Sequence, residues 1–141
     1  MQSFANHRRF VTGYHKVLNP LLLLGTLIAI YNVKLQWSVG GIVSSCLIVL
    51  LFICALMLSY FVRQFALKAQ DRAIRAEESL RYYMLTGKPL PRQLTIPQIN
   101  ALRFAEDEEF EGLTQQALNQ QLKPDAIKQQ IKNWRADHYR V

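Results

Sequence analysis

From Val39 to Val62 the chain runs apolar without a single charged side chain, and at Arg63 it changes character with no Pro or Gly to interrupt it. Twenty-four helical residues rise about 36 Å, enough to cross a hydrocarbon core of roughly 30 Å with some tilt. Beyond Arg63 the pattern becomes periodic: Phe61, Phe65, Ala69, Ala73, Ala76, Leu80 and Tyr83 recur at three- and four-residue steps. The spacing predicts one helix that spans a bilayer and continues into water to about Leu85. Its polar side offers Asp71–Arg75 and Glu77–Arg81 at i,i+4 and Arg75–Glu78 at i,i+3, pairs worth roughly 0.2–0.5 kcal/mol each on an exposed helix.

A shorter apolar run precedes it. Asn19-Pro20 is a candidate helix start, with Asn as N-cap and Pro in the first turn. Pro20 to Val33 alone would rise only about 21 Å, so the span must extend toward Trp37 or begin before Pro20. No small-x-small cleavage site follows, so the run is expected to be a permanent span rather than a signal peptide. The link Lys34–Ser38 is short and makes the two spans antiparallel neighbours. Gly25 with Ala29, and Gly41 with Ser45, have the small-xxx-small spacing that permits close helix approach. Tyr14, Tyr31 and Trp37 are expected to anchor the hairpin at the membrane interfaces.

After Leu85 the chain turns polar. Thr86-Gly87-Lys88-Pro89-Leu90-Pro91-Arg92 reads as a turn or linker, and Thr95-Ile96-Pro97-Gln98 as a capping box opening a helix over Ile96–Ala105. A further helix opens at Glu106-Asp107-Glu108-Glu109, carboxylates that a helix N-terminus favours, and runs to about Leu122. The last helix starts at Pro124, with an apolar stripe Ile127, Ile131, Trp134, His138 and a basic one of Lys128, Lys132 and Arg135. The fold class expected is all-α: a two-helix transmembrane hairpin whose second span continues into a cytoplasmic helix, followed by a small three-helix cytoplasmic region. The domains are an interfacial segment 1–16, the hairpin 17–62 (spans about 18–36 and 39–62) and a soluble part 63–141.

Charge distribution sets the orientation. The net charge is +7, but residues 1–62 hold four basic residues and no acidic one, while the rest holds thirteen basic and all ten acidic. Arg8, Arg9 and Lys16 precede the first run, Arg63, Lys68 and Arg72 follow the second, and only Lys34 lies between. That is the positive-inside pattern, with both termini cytoplasmic, and it argues against nucleic acid as the partner. Cys46 and Cys54 lie about 12 Å apart along one span, too far to bridge.

Chemistry leaves little trace. No phosphate loop, CxxC, HExxH or GxSxG occurs, and neither span carries an ionisable group for a proton or ion path. His7 and His15 have no further metal-ligating residue beside them. No cofactor, metal or small-molecule substrate is implied.

Three blocks carry a resemblance: Gln70-Asp71-Arg72-x-Ile74-Arg75-x-Glu77-Glu78-x-Leu80-Arg81, then Ala101-Leu102-Arg103-Phe104-Ala105-x-Asp107-Glu108-Glu109, then Ile127-Lys128-x-x-Ile131-Lys132-x-Trp134-Arg135-Ala136-Asp137. In order and spacing they resemble an uncharacterised family of small bacterial two-span membrane proteins, although Glu106 stands where a Ser-like cap is expected. The resemblance implies an inner-membrane location and no catalytic residue. The expected function is that of a non-enzymatic accessory, scaffold or assembly subunit of a membrane complex, in contact with lipid and with other membrane subunits or itself. The alternative is a lipid- or anion-responsive module binding through Arg72, Arg75, Arg81, Lys128, Lys132 and Arg135.

Overall fold

The computed structural model describes residues 11–38 and 40–137. Its elements are α1 (Asn19–Gln36), α2 (Ile42–Thr86), α3 (Ile96–Leu102), α4 (Asp107–Asn119) and α5 (Pro124–Gln130), and among the described residues there is no strand longer than one isolated bridge. The chain divides into two compact units at residues 66 and 67.

In the first unit the leading helix begins before Pro20. A π-helical stretch, Gly13–Leu18, runs directly into α1. Pro20 lacks an N–H and its ring crowds the carbonyl four residues back, so the widened register just ahead of it accommodates both. Asn19 is therefore helical (φ −64°, ψ −44°) rather than an N-cap, and its Oδ1 accepts from Ser59 Oγ across the hairpin at 3.1 Å. Asn32 Nδ2 donates to Ser45 Oγ at 3.0 Å, and Tyr14 OH to the Ser59 carbonyl at 3.1 Å. Gly40, at φ +81°, supplies the left-handed residue of the reversal. Ala29 and Ser45 are the buried side chains among the described residues of this unit. They are the second members of the two small-xxx-small pairs, so the short side chains mark the packed seam.

The second unit packs α3, α4 and α5 against α2. Gly87 (φ +69°) ends α2, its N–H donating to the Tyr83 carbonyl at 2.8 Å, the usual left-handed stop. At α3 the Thr95 N–H donates to Gln98 Oε1 at 2.9 Å, and Gln98 Nε2 donates to the Leu122 carbonyl at 2.9 Å. The expected box thus also ties down the α4–α5 loop. Tyr82, Ile99, Leu102, Phe110 and Ile127 are almost wholly buried and form the core.

Four expectations need correction here. First, Glu78, placed on the polar side beside Arg75, lies with Ile74 and Tyr82 on the α2 face that packs on this core, while Phe61, Phe65, Ala69, Ala73, Ala76, Leu80 and Tyr83 are all exposed. Second, α3 stops at Leu102 and tightens through Ala105 N–H to the Leu102 carbonyl (2.9 Å), freeing Ala105 to pair with Trp134. Third, α4 ends at Asn119, where Gln121 turns left-handed (φ 48°) and the Leu122 N–H reaches back to the Ala117 carbonyl at 3.1 Å. Fourth, α5 ends at Gln130, and Ile131 is already extended (ψ 120°). The Glu109 carboxylate accepts the backbone N–H groups of Lys132 (3.2 Å) and Asn133 (3.0 Å), and Arg135 N–H donates to the Phe104 carbonyl at 2.8 Å. These bonds hold the tail as a strand-like segment, so Trp134 packs on Phe104 (ring centroids 5.2 Å apart) without any helical stripe. The fourth stripe residue, His138, lies outside the described residues.

Candidate functional site

The most strongly perturbed group stands on α2, where the helix passes the core. Position 78 falls between Ile74 and Tyr82 on the buried face, so Glu78 is only 5% exposed. Its Oε2 accepts from Arg81 Nη1 at 3.1 Å. Burial pushes the Glu78 carboxyl above the ordinary glutamate range; Arg81 opposes that shift by charge and hydrogen bond, Arg135 by charge, and Glu77 adds to it. Arg81 is itself fully engaged. Its Nε donates to Asp107 Oδ1 at 2.7 Å, its Nη2 to the Ala105 carbonyl at 2.7 Å, and its guanidinium lies 4.4 Å from the centre of the Phe110 ring. One side chain thus ties α2 to the α3–α4 turn, the first turn of α4 and the aromatic core.

Beside this cluster lies a groove of about 500 Å³ lined by Glu77, Glu78, Leu80, Arg81, Met84, Leu85, Glu106, Asp107 and Arg135. A second, of about 430 Å³, shares Glu77, Glu78 and Arg135 and continues along α2 to Gln70 and Ala73. An elevated glutamate in a cleft is the kind of group acid–base catalysis uses. The lining of the first groove carries no hydroxyl, thiol or imidazole beside it, and the fork that would orient a substrate anion is taken up by Asp107 and a carbonyl. The arrangement is suited to holding elements together.

A family model described as a family of unknown function, DUF6526, matches residues 1–141. The chain belongs to the DUF6526 family. No curated protein and no solved structure matches it. All three blocks that carried the resemblance thus fall in a match that extends through the hairpin as well.

Of the basic residues singled out in this DUF6526 chain, the fold brings Arg81 and Arg135 to one groove. Arg72 and Arg75 are exposed on α2. Lys128 pairs with Asp125 at 3.5 Å, and Lys132 lies past the end of α5, so the helical basic stripe does not form. The local ion pairs also differ. Arg81 takes Glu78 and Asp107 in place of Glu77, and Asp71 accepts from Asn100 Nδ2 at 2.8 Å in place of pairing with Arg75. Sequence reasoning placed Glu78 on the polar side as the partner of Arg75 and missed both its burial and its pairing with Arg81; the signal was its i+4 spacing from Ile74 and to Tyr82, which marks one helix face. Tyr31 and Trp37 are exposed (60% and 71%). Tyr14 is half-buried, with the Arg63 guanidinium 5.1 Å from its ring centre.

Proposed function

We propose that this DUF6526 protein is a non-enzymatic bacterial inner-membrane protein, a two-span hairpin with both termini in the cytoplasm, acting as an accessory, scaffold or assembly subunit. The observation that carries the reading is where the exposed apolar side chains fall. Two helical stretches, Gly13–Gln36 and Ile42–Thr86, are long and apolar enough to cross a membrane, and only 6% of the apolar window of each is buried. Leaving a Leu-sized side chain in water forfeits about 1.5–3 kcal/mol. Leu21, Leu27, Val43, Leu51 and Leu58, each 60% or more exposed, repeat that cost along both stretches. Lipid removes it. Within the hairpin, the paired polar groups of Asn19, Asn32, Ser45 and Ser59 suit an apolar solvent, where an unsatisfied donor costs most.

The scaffold role rests on the soluble unit, whose one elevated carboxyl is locked in an ion-paired joint rather than offered to a substrate. The alternative lipid- or anion-binding reading draws less support, because Lys132 and Arg135 sit on extended chain apart from the α5 helix that carries Lys128. Membrane fractionation tests the anchor: the protein is expected to resist alkaline carbonate and to dissolve only with detergent. Recovery in the carbonate supernatant would overturn it. A partner or a second copy is expected to co-purify in mild detergent, and a lone monomer would count against the scaffold role.

A further inference from the structure

The apolar stripe that the sequence marks along α2 is one that no described part of the soluble unit covers. Ala69, Ala73, Ala76, Leu80 and Tyr83 are all exposed, Leu80 by 61% and Tyr83 by 57%. The unit's own core packs on Ile74, Glu78 and Tyr82. Glu78 follows Ala76 by two residues, and at 3.6 residues per turn the two point to opposite sides of the helix. The bare stripe is therefore left over after the soluble unit has folded.

From the exposed stripe we infer that α2 forms a parallel two-stranded coiled coil with the same segment of a second copy of this chain. The steps between stripe residues are four, three, four and three, the alternation of a heptad seam. Ala73 and Leu80 take the a positions and Ala69, Ala76 and Tyr83 the d positions. Three alanines at the membrane-proximal end let two backbones approach closely, and the larger Leu80 and Tyr83 fill the distal end.

The flanking charges agree with one register and one orientation. Arg72 falls at g and Glu77 at the following e position, five residues later. In a parallel pair a g residue of one strand faces that e residue of the other. Arg72 would thus meet the second copy's Glu77, twice by symmetry. Both side chains are exposed, and neither is among the ion pairs of the described residues. An antiparallel pair would lose this match. Parallel alignment also follows when two copies leave the same face of one bilayer, so the inference rests on the membrane-anchored reading above. The seam rises only about 21 Å, short for a free coiled coil. Confinement in one membrane raises the effective concentration of the strands and offsets that.

The test uses the full chain in native membranes, with Cys46→Ser and Cys54→Ser and single cysteines placed along α2. On mild oxidation, Ala69→Cys, Ala73→Cys, Ala76→Cys and Leu80→Cys are expected to give disulfide-linked dimers, each with its own counterpart, and Arg75→Cys is not. In mild detergent, Arg72→Glu or Glu77→Arg alone is expected to weaken self-association about fivefold, and the two together to restore it. All these positions are exposed, and an unchanged unfolding midpoint shows that the fold is retained. Cross-linking without the seam periodicity, cross-linking at one position only (an antiparallel pair), or a monomer whose stripe is covered by a different protein would each overturn the dimer. Carbonate-resistant protein that fails to cross-link leaves the anchor reading standing and removes this one alone.

Discussion

Arg81 shows how much of the second unit hangs on one side chain. Its side chain is 11% exposed, and it holds Glu78, Asp107, the Ala105 carbonyl and the Phe110 face at once. Arg81→Ala would leave Glu78 buried without its counter-charge, and removing one partner of a buried pair costs about 3 kcal/mol. The expected readout is an early unfolding transition reported by Trp134 fluorescence in a Trp37→Phe background. Adding Glu78→Gln should recover part of that loss, because the stranded charge is gone and the two substitutions are in contact. Strict additivity would refute the coupling. Glu78 also makes a pH prediction of definite sign. Its folded-state pKa is raised, chiefly by burial, so the native state holds its proton to higher pH than the unfolded chain does. Stability from this group is therefore complete below the ordinary glutamate range, roughly pH 4.3, and is lost as pH rises through the higher folded value. Relative to Glu78→Gln, the natural protein should lose stability with rising pH over that interval. A difference that grows in the natural protein's favour would mean Arg81 overcompensates the burial.

At the scale of the elements, the hairpin rests on one close approach. A Cβ built on Gly25 would clash with the edge of the Phe52 ring, so Gly25→Val must displace the ring or part the helices, a cost of about 1–3 kcal/mol for overpacking. The disulfide between Asn32→Cys and Ser45→Cys, whose side chains now touch at 3.0 Å, should form more slowly in that variant. Phe52→Ala should restore it. Close packing here was legible from the spacing of Gly25, Ala29, Gly41 and Ser45, because helices that approach this closely need small residues wherever they touch. The stop at Gly87 and the start at Thr95 were equally legible, since both are local chemistry. The tail was not. Ile127, Ile131 and Trp134 satisfy helical spacing as well as any real helix. What stops α5 at Gln130 is pairing between Trp134 and Ala105 and the grip of Glu109 on two backbone N–H groups, partners more than twenty residues away. For the same reason Arg81 was assigned to its neighbour Glu77, although the carboxylate nearest to it is Asp107, twenty-six residues away. Helical spacing also cannot say which of two acceptable faces of α2 meets the core, and here the face holding a glutamate does.

For the whole molecule, the membrane reading turns on what surrounds the exposed apolar surface, and two side chains report on it directly. Cys46 and Cys54 are free and exposed on α2. If that surface faced water, both thiols would react readily with a charged maleimide, because the reagent reaches them. If it faces hydrocarbon, the charged reagent is excluded. The natural protein in intact membranes should therefore stay unlabelled, and should take two labels per chain once denatured in SDS. Orientation is read by the same reagent in a Cys46→Ser, Cys54→Ser background. Ser38→Cys, in the turn between α1 and α2, should label from outside intact cells. Gln120→Cys, beyond α4, should label only after permeabilisation, since the Lys and Arg residues flanking the spans favour the cytoplasmic side. External labelling at position 120 with protection at position 38 would invert the topology, and rapid labelling of Cys46 and Cys54 in the native protein would remove the membrane altogether. The three outcomes are distinguishable, because the natural cysteines test the solvent of the helices and the introduced ones test which side their ends occupy.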